Sequence, residues 1–230
     1  MWLVAEYQSV SLFSLKVSTA TSSGGKTLLV PTPYAVKMAV LDVACRSLGV
    51  RKAETLWADI RDANIAIKLA PQVVVTNLFQ KIQKPTRGDS NKEGEAFSPT
   101  IGYREYAQLS GNFQIGLTVT ESLDADLLQS LLININYFGK RGGFVQLMQP
   151  PQVFDELSED FVVLTENQSA FPFGGVMQIM DDCAPSLTFE KANIYSGKRV
   201  TVGKERIQRN IVLPYKLKRS SRSFSVYEHF

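Results

Sequence analysis

Residues 122–147 read SLDADLLQSLLININYFGKRGGFVQL and predict a helix, a glycine-rich turn and a strand in succession. Ser122 is a candidate N-cap, and the two aspartates that follow place negative charge in the first turn, where it complements the helix dipole. Leucines and isoleucines recur at helical spacing over 127–135. Gly139 is expected to end the helix, and residues 144–147 are expected to form the strand.

The pattern upstream completes a β-α-β-β-α-β order. Residues 2–17 alternate like a strand with one buried face. Thr32-Pro33 predicts the start of a helix, because threonine caps free amides and proline suits the first helical position. Gly49 is expected to end that helix, and a short second helix is expected over 53–60. Further strands are predicted over 63–83, with a break at Pro71, and over 103–109 and 113–119.

This order of elements predicts an α+β, ferredoxin-like fold of the RRM type over residues 1–148, with four antiparallel strands and both helices on one face. Residues 84–100 are rich in glycine, proline and charge, which predicts a projecting hairpin or a mobile loop. Beyond Pro150-Pro151 the pattern changes to short strands and turns, with a hairpin predicted at 195–198. Residues 149–230 are therefore expected to form a β-rich, basic C-terminal extension.

Charge is distributed unevenly along the chain. The net charge is +3 overall, but residues 191–230 carry ten lysines and arginines against two acids, a net charge of +8, and residues 1–190 carry a net charge of −5. A basic segment joined to an acidic body indicates a polyanion or an acidic partner surface. Because Ile194, Tyr195 and Ile211 lie in this segment, we expect an ordered basic surface rather than a solvated tail.

The sequence excludes several classes of site. Its one histidine is His229, which excludes zinc sites built from several histidines and two-histidine iron sites. Cys45 and Cys183 match no metal or redox spacing, which favours a reducing, cytoplasmic compartment. The sequence contains neither a run of about 18 apolar residues nor a signal-peptide pattern, so no membrane role is expected. Asp181-Asp182 is expected to be a solvated acid pair in a turn rather than a metal site.

Two glycine-containing stretches are candidate phosphate contacts. Gly24–Thr27 is not a nucleotide-binding loop, because Ala20 stands where the first glycine is required and no helix pattern follows. Lys26 nevertheless remains a candidate contact to a phosphate. Gly139–Gly143, with the sequence GKRGG, is either an anion-binding nest carrying two cations or a helix C-cap with favourable charges, and both interpretations can hold together.

The segment 81–104 interleaves cations with aromatic residues. It contains Lys81, Lys84, Arg87, Tyr103 and Arg104, and Tyr106 follows. Guanidinium groups bind phosphates and aromatic rings stack on unpaired bases, so this composition suits single-stranded RNA. A solvated loop beside a strand with tyrosines explains the same residues, and acids in the loop weaken the electrostatic argument.

Four short motifs occur in a fixed order along the chain. Thr32–Val36 opens the first helix, Val75–Lys81 has the form V-x-N-x-x-x-K, Tyr103–Tyr106 contains R-E-Y, and Tyr137–Gly143 ends in GKRGG. In this order and spacing the chain resembles Cas protein family five, a RAMP-type subunit of type I CRISPR surveillance complexes (Cascade). The similarity spans about residues 1–148, and GKRGG only approximates the glycine- and arginine-rich element of the family.

The resemblance implies a ferredoxin-like RAMP core that holds the 5′ handle of the crRNA, with a thumb hairpin at about 81–104. It also implies that the subunit caps the Cas family seven backbone, contacts the large Cas family eight subunit and reaches target DNA through the complex, in antiviral defence or guided transposition. It implies no cofactor, metal or membrane. The implied RNA contacts are Lys26, Asn77, Lys81, Lys84, Arg87, Tyr103, Arg104, Lys140, Arg141, Gly142 and Gly143.

Some members of the family are metal-independent endoribonucleases that process precursor crRNA with Tyr, Lys and His. The candidates here are Tyr103 or Tyr106 with Lys81 or Lys84, but no histidine lies near the matching loops. We therefore predict a non-catalytic crRNA-binding subunit, with a processing ribonuclease as the first alternative. A ferredoxin-like scaffold that binds protein and not RNA is the second.

Overall fold

The computed structural model describes residues 1–20, 25–85, 97–168 and 173–230. Its strands are β1 Trp2–Ser9, β2 Ile65–Lys68, β3 Gln72–Pro85, β4 Phe97–Ser110, β5 Asn112–Thr118, β6 Val145–Leu147, β7 Gln152–Phe154, β8 Phe161–Val163, β9 Val176–Cys183, β10 Arg206–Leu213, β11 Tyr215–Ser220 and β12 Phe224–His229. Its helices are α1 Pro33–Leu48, α2 Val50–Asp62, α3 Ala125–Ile133 and α4 Phe189–Ala192, and a 3-10 turn covers Ile194–Ser196.

The first sheet, the core sheet, has the strand order of a ferredoxin-like fold. Its central strands lie in the order β6-β1-β5-β2, and each neighbouring pair is antiparallel. The helices α1 and α2 connect β1 to β2, and α3 connects β5 to β6. The chain therefore runs β-α-β-β-α-β through this sheet. The predicted α+β, ferredoxin-like class is confirmed.

One face of the core sheet is buried. Leu3, Ala5 and Tyr7 of β1 are inaccessible to solvent, and the Tyr7 hydroxyl donates a hydrogen bond to the Leu132 carbonyl of α3 at 2.8 Å. Packing these side chains under the helices removes apolar surface from water, which is the main favourable term in folding. The predicted buried face is confirmed for β1, but the strand predicted over 2–17 ends at Ser9, and only isolated bridges follow at Phe13 and Lys16.

The first helix begins where the sequence predicts. The Thr32 hydroxyl accepts a hydrogen bond from the Ala35 amide at 3.1 Å, and Pro33 occupies the first turn. Gly49 has a φ of +85° and separates α1 from α2. Glycine adopts this conformation without strain, because it has no Cβ. The second helix is longer than predicted, since it starts directly after Gly49.

The boundaries of α3 correct the sequence prediction. Asp124, not Ser122, is the N-cap, and its carboxylate accepts a hydrogen bond from the amide three residues later at 2.8 Å. The helix ends at Ile133 rather than at Gly139. Asn134 leaves the helical conformation, and its side-chain amide donates to a carbonyl of the preceding turn at 2.8 Å. Asparagine competes with the helix for backbone hydrogen bonds, which explains the early end.

A second antiparallel sheet has the strand order β11-β12-β3-β4. β3 and β4 form a long hairpin that follows β2 and precedes β5 along the chain, and it contains the described part of the implied thumb. The predicted strand 63–83 is therefore two strands in different sheets, and Pro71 lies between them, where the sequence predicted a break. Residues 86–96 of the implied thumb lie outside the described residues.

The C-terminal part of the chain is hydrogen-bonded into both sheets. β7 pairs with β1, β8 with β2 and β12 with β3, while β9 and β10 pair with each other. The basic segment 191–230 is therefore ordered, as predicted.

The hairpin predicted at 195–198 is wrong, because the Asn193 side chain accepts from the Tyr195 amide at 3.0 Å and closes a 3-10 turn there. The division of the chain at residue 148 stays a prediction.

Two further observations apply to the described ranges only. No helix in them is long and apolar enough to cross a membrane. In the same ranges, no group of three or more histidine, cysteine, aspartate or glutamate side chains is placed to hold a metal ion.

Candidate nucleic-acid interface

Three cations from distant parts of the sequence meet beside β4. Lys16 precedes α1, Arg104 lies on β4, and Lys140 lies in the loop between α3 and β6. Burial lowers the pKa of Lys16, and the positive charges of Arg104 and Lys140 lower it further. Exposed charges are screened over a short distance in water. Arg104 and Lys140 therefore both lie near Lys16, and Lys16 and Lys140 line the same cleft; we call the three residues the cation cluster.

Strand pairing explains how Lys16 reaches Arg104. Phe13 and Ala107 exchange two backbone hydrogen bonds of 2.8 Å, so the segment that contains Phe13 runs antiparallel along the outer edge of β4. Counting onward from the Phe13–Ala107 pair places Lys16 opposite Arg104. Residues opposite each other in an antiparallel pair project on the same side, which brings the two cations together.

A buried carboxylate joins the hairpin to the loop that contains Lys26. Glu105 accepts hydrogen bonds from the Thr27 amide and from the Tyr103 hydroxyl, both at 2.9 Å. Thr27 also pairs with Lys16 through the backbone. These bonds place the backbone of Thr27 beside Lys16, and the next residue before it is the exposed Lys26.

Tyr103 is held as a neutral hydroxyl. Burial raises its pKa to about 12, together with the hydrogen bond to Glu105 and the charge of that carboxylate. Its ring packs against Phe79, with 5.1 Å between the ring centroids. The hydroxyl therefore keeps its proton at neutral pH, which suits stacking or hydrogen bonding rather than proton abstraction.

The loop before β6 depends on glycine for its close packing. A Cβ at Gly143 would lie 2.9 Å from the Phe138 carbonyl oxygen and 3.0 Å from the Phe13 ring, so a larger residue does not fit. The Gly143 amide donates to the Lys140 carbonyl at 3.1 Å and closes the loop on itself. Lys140 and Arg141 remain exposed on its outer side.

One of the two interpretations of this loop is wrong. It is not the C-cap of the preceding helix, because α3 ends at Ile133, well before Gly139. The anion-binding nest stays a prediction for Gly142 and its neighbours. The loop is braced from the N-terminal segment, since the Ser11 hydroxyl donates to the Gly142 carbonyl at 2.6 Å and accepts from the Phe144 amide at 2.7 Å.

Several predicted contacts lie away from the cation cluster. Lys81 and Lys84 are exposed and stand three and six residues beyond Leu78, the residue that pairs with Arg104. At about 3.4 Å per residue, they lie roughly 10 and 20 Å further along the hairpin. Arg87 lies outside the described residues. The structure thus divides the predicted residues into a group at the base of the hairpin and a group along it.

Asn77 has a structural role in the second sheet. Its side-chain amide donates to the Arg222 carbonyl at 3.1 Å, and its backbone amide donates to the Ser223 carbonyl at 2.8 Å. These bonds tie β3 to the turn between β11 and β12.

A cleft of about 960 Å³ opens between α1, the loop before β6 and α4. Lys16 and Lys140 of the cation cluster contribute to its lining, as do Tyr34 and Arg206. The Arg206 guanidinium carbon lies 4.1 Å from the centroid of the Tyr34 ring, within the range of a cation–π contact. The cleft therefore places the Tyr34 ring beside the cation cluster, under a guanidinium that is itself ion-paired with Asp181.

The acid pair Asp181-Asp182 is buried in β9 and is not solvated in a turn, so that prediction is wrong. Lys37 and Arg209 bind the Asp182 carboxylate at 2.7 and 2.9 Å, and Arg206 binds Asp181 at 2.7 Å. A buried carboxylate is tolerated only when cations and hydrogen bonds compensate for lost water. These ion pairs join α1 to the C-terminal strands.

Two residues of this surface were missed in the sequence. Lys16 alternates with the buried Leu15 and the half-buried Val17, and its outward position in that alternation is a weak signal. Glu105 lies within the R-E-Y motif, but nothing local marks it as a buried hydrogen-bond acceptor.

The open face of the core sheet carries a different set of side chains. Glu6 lies on this face of β1, since its neighbours along the strand are buried on the other side. Its carboxylate accepts hydrogen bonds from Asn112 at 2.5 Å, from Gln149 at 2.8 Å and from Gln114 at 3.3 Å. RRM sheets that bind RNA carry aromatic rings on their central strands. Here a carboxylate surrounded by amides lies at the centre of the face, and the aromatic rings of Trp2 and Phe154, which pair across β1 and β7, lie toward the start of β1.

No protein-family model matches the chain. The chain is 24% identical over 204 residues to the curated CRISPR-associated protein Cas5 of Archaeoglobus fulgidus, and the match covers 86% of each of the two chains. Two solved structures are also similar. A CRISPR protein from Archaeoglobus fulgidus superposes with a TM-score of 0.44 and 11% identity, over 100% of this chain and 92% of that one.

A chain of a CRISPR RNA-guided surveillance complex superposes with a TM-score of 0.48 and 14% identity, over 92% of this chain and 90% of that one. The order of the sequence motifs points to the same family as the match to the curated Cas5 protein, which covers 86% of the chain. The chain is therefore similar to CRISPR-associated protein Cas5, and its resemblance to Cas protein family five is confirmed.

Proposed function

We propose that this chain is a non-catalytic subunit of a type I CRISPR-Cas surveillance complex that binds the 5′ handle of the crRNA. The proposal includes capping of the Cas family seven backbone, contact with the large Cas family eight subunit, and support of target DNA recognition in antiviral defence or guided transposition. The observation that carries it is the cation cluster, which assembles on a chain whose first 190 residues have a net charge of −5.

Electrostatics favours a polyanion at the cation cluster. Like charges held close together repel one another, and this repulsion adds to burial, the larger cause, in lowering the pKa of Lys16. A bound phosphate offsets the repulsion and releases condensed counterions from the RNA, which is the main source of sequence-independent affinity. The exposed Lys26 and Arg141, which are sequence neighbours of Thr27 and Lys140, add further positive charge.

The geometry offers less support for the ribonuclease alternative. That activity needs a side chain that accepts a proton from the RNA, and Tyr103 is unsuited to this because its pKa is raised to about 12. The one histidine, His229, lies at the end of β12 with its ring 6.1 Å from that of Tyr215. We therefore assign RNA binding, and not RNA cleavage, to this surface.

Fluorescence anisotropy with a labelled 5′-handle RNA tests the proposal. We expect the wild-type protein to bind with an affinity that falls with salt, by a slope of about 0.7 for each phosphate contacted. The Lys16→Gln/Lys140→Gln variant loses two contacts, so its slope is expected to fall by roughly 1.4. The matched control is Arg51→Gln/Lys52→Gln, which removes two exposed cations at the start of α2 and is expected to bind like the wild type.

Each alternative has its own outcome in these experiments. Equal affinity of the wild type and the Lys16→Gln/Lys140→Gln variant would remove the cation cluster from the interface. If the wild type binds no RNA, the protein-binding scaffold becomes the better hypothesis. A single defined cut in repeat RNA incubated with the pure protein in EDTA would favour the ribonuclease.

A further inference from the structure

The outer face of the second sheet extends beyond the cation cluster on which the proposed function rests. Val75 and Ala107 project from the inner face and are buried in the core. Strand residues alternate between faces, so their neighbours Thr76 and Tyr106 project outward, as does Phe224, which pairs with Thr76. These three outward side chains are half-buried and not covered by the core.

Two aromatic rings stand in one row across this outer face. Phe224 on β12 pairs with Thr76 on β3, and Thr76 pairs with Tyr106 on β4. The rings are therefore two strand spacings apart, which is about 9–10 Å. Because the side chain between them is a small threonine, the row has room for a planar group on each ring.

Cations flank the row at both ends. On β11, the guanidinium carbon of the exposed Arg219 lies 5.8 Å from the centroid of the Phe224 ring. On β4, Arg104 lies two residues before Tyr106 on the same face and belongs to the cation cluster. An acid on this face, Glu228 of β12, is ion-paired with a lysine of β11. The outer face is therefore continuous with the cation cluster.

We propose that this outer face is a second RNA-binding surface, on which unpaired bases stack on Tyr106 and Phe224 while Arg219 and Arg104 hold the adjacent phosphates. The inference rests on the proposed function, because the RNA held by the cation cluster continues from β4 across the sheet to β11. Stacking on aromatic rings tolerates any base, since every base has a planar face. The surface therefore binds single-stranded RNA without selecting its sequence.

The chemistry of this surface fits single-stranded RNA better than a neutral peptide. The cations that flank the rings attract a polyanion, and aromatic rings interleaved with basic side chains are the combination used by proteins that bind single strands. A duplex does not fit this arrangement, because its bases are stacked on one another and their flat faces are not accessible.

Anisotropy with a labelled, unstructured RNA of about 16 nucleotides tests the inference. Loss of one stacking ring in Phe224→Leu is expected to weaken binding by roughly 5- to 150-fold. Arg219→Gln, on the exposed edge strand, is expected to weaken it several-fold and to lower the salt slope by about 0.7. The matched control is Phe154→Leu, an exposed phenylalanine on β7 of the core sheet, which is expected to leave binding unchanged.

A second measurement does not depend on any substitution. The wild-type protein is irradiated with RNA that contains 4-thiouridine, and the cross-linked peptides are identified by mass spectrometry. We expect cross-links at Tyr106 or Phe224. Wild-type affinity in both Phe224→Leu and Arg219→Gln, with no cross-link to β4 or β12, would overturn the inference and leave the cation cluster untouched.

The remaining outcomes separate the two proposals. If the wild type binds no RNA at all, the proposed function fails and this inference fails with it. If Phe224→Leu binds RNA normally but loses affinity for a purified neighbouring subunit, the outer face is a protein interface and the inference is wrong.

Discussion

The two sheets of this protein present open faces of opposite character. On the core sheet, the Glu6 carboxylate lies at the centre and accepts hydrogen bonds from Asn112 and Gln149. On the second sheet, Tyr106 and Phe224 stand in one row with Arg219 beside them. The core sheet has the strand order of an RRM but a carboxylate at the centre of its open face, whereas the aromatic rings of the second sheet lie beside arginines. Strand order alone therefore does not locate an interface.

The difference has an electrostatic cause. A carboxylate at the centre of a sheet face repels phosphates, and the three amides around Glu6 use its acceptor capacity within the fold. The second sheet takes two of its strands from the basic segment 191–230 and is bordered on its other side by the cation cluster. Positive charge therefore accumulates on that sheet.

The largest expected effect concerns the connection between the basic C-terminal strands and the core. Asp182→Ala leaves Lys37 buried without its partner and releases Arg209, so the free energy of unfolding is expected to fall by about 3–5 kcal/mol. Urea denaturation measures the change. The control is Asp42→Ala, which breaks the partly exposed pair with Arg46 and is expected to cost at most about 0.5 kcal/mol. Equal losses in the two variants would contradict this role.

The second prediction separates the two sheets by RNA affinity. Lys140→Ala/Arg141→Ala removes two exposed cations beside the second sheet and is expected to weaken 5′-handle binding by about tenfold without changing stability. Anisotropy and thermal melting measure the two quantities. Lys68→Ala, on β2 of the core sheet and ion-paired with Asp160, serves as the control and is expected to bind normally. A larger loss of RNA affinity in Lys68→Ala than in the double variant would mean that the core sheet, and not the second sheet, lies nearer the RNA.

A third, smaller effect depends on pH. The pKa of Lys16 is lowered, so its ammonium loses its charge at a lower pH than an ordinary lysine does. Phosphate binds the charged form, so RNA affinity is expected to fall as the pH rises through the pKa of the free protein. Lys16→Arg keeps its charge at high pH and is expected to flatten this dependence at pH values below the ordinary pKa of a lysine. If the RNA affinities of the wild type and of Lys16→Arg change with pH in the same way, Lys16 does not contact the RNA.

The smallest expected effect is at the centre of the core sheet. Glu6→Gln removes the negative charge from the open face with little change in shape. If RNA does not approach this face, affinity is expected to change by less than about twofold, since exposed charges beyond a Debye length are screened. A large gain in affinity would mean that RNA crosses the core sheet, and the contrast between the sheets would be lost.

The sequence predicted helix ends correctly where residues adjacent in the chain determine the backbone conformation. Thr32 and Pro33 predicted the start of α1, and Gly49 its end, because capping and backbone conformation depend on adjacent residues. Ser122 was wrongly preferred over Asp124, since both types cap helices and only the path of the chain selects one. The early end of α3 is also a local effect of Asn134, but it was missed because the apolar spacing of the leucines continues to Ile135.

Sheet membership was not predictable from the same patterns. Residues 63–83 alternate as one strand, but Pro71 separates a strand of the core sheet from a strand of the second sheet. Alternation of apolar and polar residues predicts that a strand has one buried face, but it does not predict which strands lie beside it. For the same reason Asp181-Asp182 was expected in solvent, although it is buried against cations from α1 and β10.

The candidate site was predicted in parts. Arg104 and Lys140 were predicted separately, and the structure brings them together with Lys16, for which the sequence has no strong signal. Lys81 and Lys84 lie along the hairpin away from this group. Contact of any of these residues with RNA stays a prediction, to be decided by the variants above.

By itself the sequence determined the order of the elements, the resemblance to Cas protein family five, and the division into an acidic body and a basic C-terminal segment. Each of these depends on residue types and on their spacing along the chain. Only the tertiary structure decided which cations meet, which acids are buried, and which sheet presents aromatic rings to solvent. Those features depend on pairing between residues far apart in sequence, and the register of such pairs follows from packing the whole core rather than from any local pattern.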